Sequence, residues 1–332
     1  LEIFVQTISR STFLAGSAAA AAAAILPAVA RAAGLTSIGI DYAYYNPPSL
    51  VLKQNGWLEA ALAKKGVTVN WVLSAGSNKA LEYLAGNAVQ FGSAAGSATL
   101  LARANGNPVK TVFLYSRPEW TALVVGKDST AKSIHDLQGK RIAATRGTDP
   151  WFFLLRTLAG AGMKPADIEL VDLQHADGRA ALERGQVDAW AGLDPIMAAS
   201  QLNAGSKLIY RNVAFNTWGA LNAREDFLAA NPDLTSIVLQ NYERARTFAA
   251  ANIAQTASIV AAAANLDAKV AELQLRDRTT YPGNGTPLPE FHDALGGVIP
   301  IIKSDKLARP DADIDGALAS LIDLRPAKTA GL

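Results

Sequence analysis

At 332 residues, half of them hydrophobic and 18% charged, the chain is long enough for two lobes or domains and too apolar for extended disorder. It contains no cysteine, which excludes disulfides, thiolate metal sites, a cysteine nucleophile and a lipid-bearing cysteine. A net charge of +2 is too balanced for a surface that binds nucleic acid or an acidic membrane.

Residues 1–33 read as a cleaved export signal. Arg10 gives a basic start, residues 13–30 are apolar but mostly alanine, and Ala28-Val29-Ala30 and Ala30-Arg31-Ala32 each offer an A-x-A cleavage site. Pro27 and the weak hydropathy of alanine argue against a membrane-spanning helix. Residues 9–14 resemble the twin-arginine export motif, with Ser11 where the second arginine would stand, so the export route stays open.

Strand-like and helix-like stretches then alternate. Residues 35–40 predict a short apolar strand that enters an aromatic loop ending in Asn46-Pro47-Pro48, and residues 49–64 predict a helix before Gly66. A strand at 67–73 leads to Ser77 and Asn78, either of which can cap a helix at 79–85. A strand at 89–91 enters the small-residue turn around Gly96 and Ser97, followed by a helix at 98–104 and a strand at 109–115. Further strands are expected at 121–125, 141–145, 168–173, 187–190 and 208–210, with helices at 133–137, 151–161, 178–184 and 197–203 among them. From residue 222 the pattern is mostly helical, at 226–230, 235–263, 289–303 and 314–324. Short β-turn-α units predict an open parallel α/β sheet, and ligands of such sheets bind beyond the carboxyl ends of the strands. The turns at Asn46, Ser77 and Gly96 fall there.

The stretch Arg146-Gly147-Thr148-Asp149-Pro150-Trp151 joins a predicted strand to a predicted helix. Thr148 or Asp149 can cap that helix, and Pro150 suits its first turn, where a missing N–H costs nothing. First-turn amides and the helix dipole then face open space, so the turn can hold an anion without a cationic side chain.

Several stretches together resemble the periplasmic substrate-binding proteins of ABC transporters for sulfonates, taurine and nitrate. They are residues 137–143 (LQGKRIA), 154–158, 162–168 (GMKPADI) and 185–191 (GQVDAWA) with Asp194-Pro195, and the turns at 76–82 and 92–104 fit as well. The resemblance covers nearly all of residues 36–325 and is nearest to aliphatic sulfonate receptors. It implies a two-lobed α/β fold, the type II periplasmic binding protein, with each lobe a mostly parallel sheet flanked by helices and two strands crossing between them. Lobe one would be residues 35–122 plus 217–325 and lobe two residues 123–216, with crossings near 119–125 and 214–220. The resemblance places the anionic head group at Asn46, Ser77, Asn78, Gly96, Ser97, Gly147 and Thr148. It also implies a periplasmic monomer that hands a small organic anion to an ABC permease.

Where many aliphatic sulfonate receptors carry a Gly-Ser-Ser-type turn, this chain has Gly147-Thr148-Asp149-Pro150-Trp151. Asp149 either caps its helix or reads an amine or hydroxyl on the ligand, and Glu119 and Asp194 pose the same question. Arg117 and Arg146 are expected to pair with Glu119 or Asp149. Trp120, Trp151 and Trp218 stand beside predicted strand ends or crossings, where they suit either an apolar tail pocket or packing between lobes. Trp190, inside a strand, reads as core.

An enzyme of the same fold, such as a pyrimidine-forming relative, would need reactive groups in the cleft. His135, His175 and His292 are scattered, without metal-ligand or triad spacing, and read as solvated or locally bonded. No P-loop or dinucleotide fingerprint follows a strand. A purely structural partner-binding protein would leave three anion-ready turns at one sheet edge as coincidence. The expectation is a receptor with no catalytic residue, metal or cofactor, and no nucleic-acid partner.

Overall fold

The computed structural model describes residues 35–332, so the expected export segment lies outside the described residues. Eleven strands run through them in chain order: β1 (Ser37–Tyr42), β2 (Thr68–Leu73), β3 (Phe91–Ala95), β4 (Val109–Pro118), β5 (Leu123–Val125), β6 (Arg141–Ala144), β7 (Glu169–Asp172), β8 (Ala189–Ala191), β9 (Lys207–Tyr210), β10 (Gly219–Arg224) and β11 (Thr279–Thr280). They form a six-stranded sheet, ordered β11-β4-β10-β3-β1-β2, and a five-stranded sheet, ordered β7-β6-β8-β5-β9.

Both sheets are mixed. In the first, β1 pairs in parallel with β2 and β3, whereas β10 lies antiparallel between β3 and β4. In the second, β6 is parallel to β7 and β8, and β5 runs antiparallel to β8 and β9. The open parallel sheet read from the first units is therefore completed by strands of opposite direction. The chain leaves the first sheet through β4 and re-enters it through β10, and every strand between these two belongs to the second sheet.

Helix breaks differ from the expected spans for local reasons. The helix expected at 49–64 begins earlier, at Pro47, because Asn46 caps it by accepting from Ser49 N–H, and it stops at Gly56, whose φ of 63° is left-handed. A separate helix, Trp57–Ala63, follows. The helix expected at 235–263 is two helices, Pro232–Ala251 and Ile253–Ala264, bent by 110° where Asn252 leaves helical geometry (φ −126°, ψ 58°). The 289–303 segment likewise divides into Pro289–Gly296 and Ile299–Ser304. Among the described residues no single helix is long and apolar enough to cross a membrane.

Apolar side chains from both ends of the chain bury the first sheet. Ile38, Ile40, Phe91, Phe113 and Leu239 share one core with Tyr242 and Trp120. A second core joins β5, β6 and helix Asp149–Gly160 to the carboxyl-terminal helices, with Phe152, Phe153, Trp151, Trp218, Phe291 and Leu318 at its centre. The two sheets are thus joined by shared apolar packing as well as by the two connecting segments.

Candidate functional site

Six turns leave the carboxyl ends of strands, and those at Asn78, Ser97, Asp149 and His175 make contacts between the sheets. Asn46 follows β1, Ser77 and Asn78 follow β2, and Gly96 and Ser97 follow β3. Gly147 to Asp149 follow β6, His175 follows β7 and Asp194 follows β8. All six open helices: Pro47–Asn55, Ser77–Ala85, Gly96–Ala104, Asp149–Gly160, His175–Glu183 and Ile196–Ala204.

Asp149 links the two sets of turns through Ser97. It is the first residue of its helix and 1% exposed. Its carboxylate does not cap that helix, and neither Arg117 nor Arg146 pairs with it. Ser97 Oγ donates to Oδ1 at 2.7 Å and Thr217 Oγ1 donates to the same oxygen at 2.6 Å. Trp120 Nε1 and the Thr217 backbone N–H donate to Oδ2 at 2.8 and 2.7 Å. Burial raises the Asp149 pKa, and these donors oppose the rise. Thr148 occupies the cap position in extended geometry, but its hydroxyl donates to Thr145 O at 2.6 Å and leaves the helix amides alone.

A second cluster lies beside it. Gly147 faces Asn78: a Cβ on Gly147 would stand 3.8 Å from Asn78 Cβ. A Cβ on Gly76 would stand 2.8 Å from Asn78 Oδ1 and 3.0 Å from His175 Nε2. Thr145 gives its hydroxyl proton to Leu173 O at 2.7 Å, so at 3.0 Å His175 Nδ1 must be the donor to Thr145 Oγ1. Nε2 is therefore a bare acceptor, and burial holds the ring neutral by lowering its pKa to about 3. Neither His175 Nε2 nor Asn78 Oδ1 has a partner among the described residues. The amides of Ser77 and Asn78 lie in the first turn of a helix, where no intrahelical acceptor exists. A groove of about 500 Å³ opens at Asn78 and Gly147 and runs along Leu81, Ala98 and Leu101. A larger groove, about 770 Å³, lies at the opposite edge of the second sheet, beside Lys127, Lys140 and Asp188, and contains none of the expected site residues.

The other expected residues have internal partners. Asn46 is fully buried, capping its helix while donating to Ser93 Oγ at 2.6 Å. Ser77 Oγ accepts from Ala95 N–H at 2.9 Å, and Gly96 N–H donates to Trp218 O at 3.1 Å. Glu119 makes a two-point pair with Arg211 at 2.7 and 3.0 Å, joining the two connecting segments. Asp194 pairs with buried Arg278 at 3.0 Å and accepts from Ala198 N–H. Trp120, Trp151 and Trp218 are all at most 4% exposed and belong to the cores. Arg146 stacks over Trp151 and Arg117 over Trp218, so the expected pairing of these arginines with Glu119 or Asp149 gives way to cation–π contact. Sequence reasoning missed Thr217 and Arg278, and it left His175 as a local loop residue. Each acts on a group at least 68 residues away or through an unpaired ring nitrogen, and neither leaves a local motif.

Below this edge, Asp41 accepts from Ser93 N–H and Oγ–H, both at 2.8 Å, within reach of the Asn46 network. Burial raises its pKa to about 6, with Ser93 opposing. A carboxyl that holds its proton more tightly when folded stabilises most below pH 4 and loses that contribution as pH rises through 6. Asp41→Asn keeps an acceptor for Ser93 without the buried charge. It should raise stability at pH 7.5 by about 1–3 kcal/mol, the gain vanishing below pH 4. Urea unfolding of both proteins at pH 3.5, 5.5 and 7.5 checks the sign, and a loss at pH 7.5 would contradict it.

A family model described as NMT1/THI5 like matches residues 46–260. A candidate aliphatic sulfonates-binding protein of Bacillus subtilis (strain 168) is 26% identical over 233 residues, 69% of this chain and 70% of its own length. Its counterpart from Escherichia coli (strain K12) is 32% identical over 165 residues, 49% of this chain and 50% of its own length. The match thus spans half of that relative. Among solved structures, the periplasmic aliphatic sulphonate binding protein SsuA from Escherichia coli superposes with a TM-score of 0.71 at 25% identity, covering 84% of this chain and 91% of that one.

Proposed function

Since the chain belongs to the NMT1/THI5-like family, we propose that it is an exported solute receptor that binds an alkanesulfonate between its two sheets and delivers it to an ABC permease. The observation that carries this reading is the meeting of helix starts from both sheets at Ser77, Ser97 and Asp149, with amide and hydroxyl donors and no ligating cation. A sulfonate presents three acceptor oxygens at low basicity, which suits several neutral donors at once. The apolar groove along Leu81, Ala98 and Leu101 supports an aliphatic tail. Asn46, Ser77, Gly96 and Thr148 shape the turns from within, and Trp120 and Trp218 wall them. Glu119 and Asp194 hold the segments and sheets together through arginine. The receptor works by hinge closure without covalent chemistry. It is made with a cleaved amino-terminal signal, acts in the periplasm as a monomer and is recognised by its permease in the closed form.

A sulfonate with a hydrogen-bond donor on its tail, taurine among them, is the second reading. The unpaired acceptors Asn78 Oδ1 and His175 Nε2 favour it.

Thermal unfolding with methane-, butane- and octanesulfonate, taurine, sulfate and nitrate tests both. A ligand at a hundredfold over its Kd adds about 2.7 kcal/mol, a shift of several degrees. Shifts that grow with alkyl length support the first reading, and a shift for taurine above methanesulfonate supports the second. A response to nitrate or sulfate alone, or to none of the panel, overturns both.

A further inference from the structure

Asp149 is held as a bound anion would be held. Its two oxygens accept four hydrogen bonds of 2.6–2.8 Å, all from neutral donors: a serine hydroxyl, a threonine hydroxyl, a backbone amide and an indole N–H. The donors come from three separate segments, Ser97 at a helix start, Trp120 on the outgoing connection and Thr217 on the returning one. A capping aspartate would turn to its own helix amides, and a structural ion pair would supply a cation. Asp149 does neither. Ser97 N–H also donates to Thr217 Oγ1 at 3.0 Å, which orients that hydroxyl toward the carboxylate and keeps the donor set in place independently of it.

We propose that Ser97, Trp120 and Thr217 form the oxyanion pocket, that Asp149 is its tethered occupant, and that the sulfonate group of the ligand binds by displacing the Asp149 carboxylate. The inference rests on the receptor reading above and adds the exchange at this one subsite. A tethered group competes at a high effective concentration, set by its short attachment, so a free anion binds more weakly than the bare pocket allows. Displacement also frees the start of helix Asp149–Gly160 from Ser97, so the ligand itself must then bridge the two sheets.

Asp149→Ala empties the pocket, and Asp149→Asn leaves it a poorer occupant. Alanine removes the acceptor, and asparagine keeps the volume but turns an NH2 against the donors. Methanesulfonate is the probe, because it carries the head group with almost no tail. By calorimetry it should bind either variant at least tenfold more tightly than it binds the unsubstituted protein, and Thr217→Val added to Asp149→Ala should abolish the gain. On the unsubstituted protein, carbon-13 NMR of labelled aspartate carboxylates should show one resonance moving to the solvent-exposed position when an alkanesulfonate saturates the site. That resonance is assigned by its absence in the variant spectra, or by its low accessibility to paramagnetic quench. If alkanesulfonates bind the unsubstituted protein with no carboxylate leaving its buried position, and folded variants gain nothing, the exchange is wrong and the receptor reading stands. If the variants bind methanesulfonate while no alkanesulfonate binds the unsubstituted protein, the pocket stands and the receptor reading fails.

Discussion

Replacing Arg278 by methionine is expected to destabilise the fold by about 3–5 kcal/mol, the usual consequence of stranding one member of a buried ion pair. Asp194 is 1% exposed, and Arg278 donates to its two oxygens at 3.0 and 3.1 Å. Arg278 precedes β11 of the first sheet and Asp194 follows β8 of the second, so the pair ties the sheets together. Burial lifts the Asp194 pKa to about 6 even with the arginine opposing. Left alone, the carboxylate would be a worse guest still, and the variant should be most destabilised at high pH, where that carboxylate stays charged. Adding Asp194→Asn should recover much of the loss, since asparagine still accepts from Ala198 N–H. Urea unfolding of the single and double variants at pH 5 and 8 measures this. A cost under about 1 kcal/mol for Arg278→Met would mean that water reaches the pair and that the sheets stand apart in solution.

Gly285→Ala is the second large effect. Gly285 has a φ of 79°, and a Cβ there would stand 2.0 and 2.2 Å from the Phe113 ring, inside any real contact distance. Left-handed strain and overpacking act together, each about 1–3 kcal/mol, so a loss of about 3 kcal/mol is expected. The site should feel it too. Phe113 packs edge-on against Tyr242 at 5.9 Å between centroids, and Tyr242 Oη lies 3.4 Å from Asn46 Nδ2. Gly283→Ala is the control: its φ is 63°, yet its Cβ would meet only Leu288, at 3.8 Å. It should show the backbone cost alone, about 1 kcal/mol. Equal thermal shifts for the two variants would remove the packing argument.

The β-turn-α alternation was legible because its signals are local. Glycine stops, apolar runs and cap residues mark β1 to β4 and β6 to β8 without any knowledge of partners. The position of β10 was not legible. Its residues pair with 91–95 and 109–116, more than a hundred positions upstream, and nothing in Gly219–Arg224 says which gap they fill. The same distance separates prediction from finding at the site. Sequence rules give Asp149 to its own helix, because capping is the nearest use for an aspartate before a proline. The fold instead brings four donors from 29 to 68 residues away, and these outcompete amides that water can serve equally well. Glu119 offers the same lesson, since its arginine lies 92 residues downstream and not beside it at Arg117.

The insertion of β10 between β3 and β4 also sets an order of events during synthesis. Both neighbours of β4, the strands β10 and β11, come later in the chain, so a nascent chain that has reached residue 210 holds β4 without a strand partner. The strands from Leu123 to Tyr210, by contrast, pair only with one another. The half of the molecule encoded in the middle can therefore finish its hydrogen-bond ladder while the half encoded first still waits for its missing rung. During that interval β3 and β4 present open edges to any chaperone, or to the same edges of a neighbouring nascent chain.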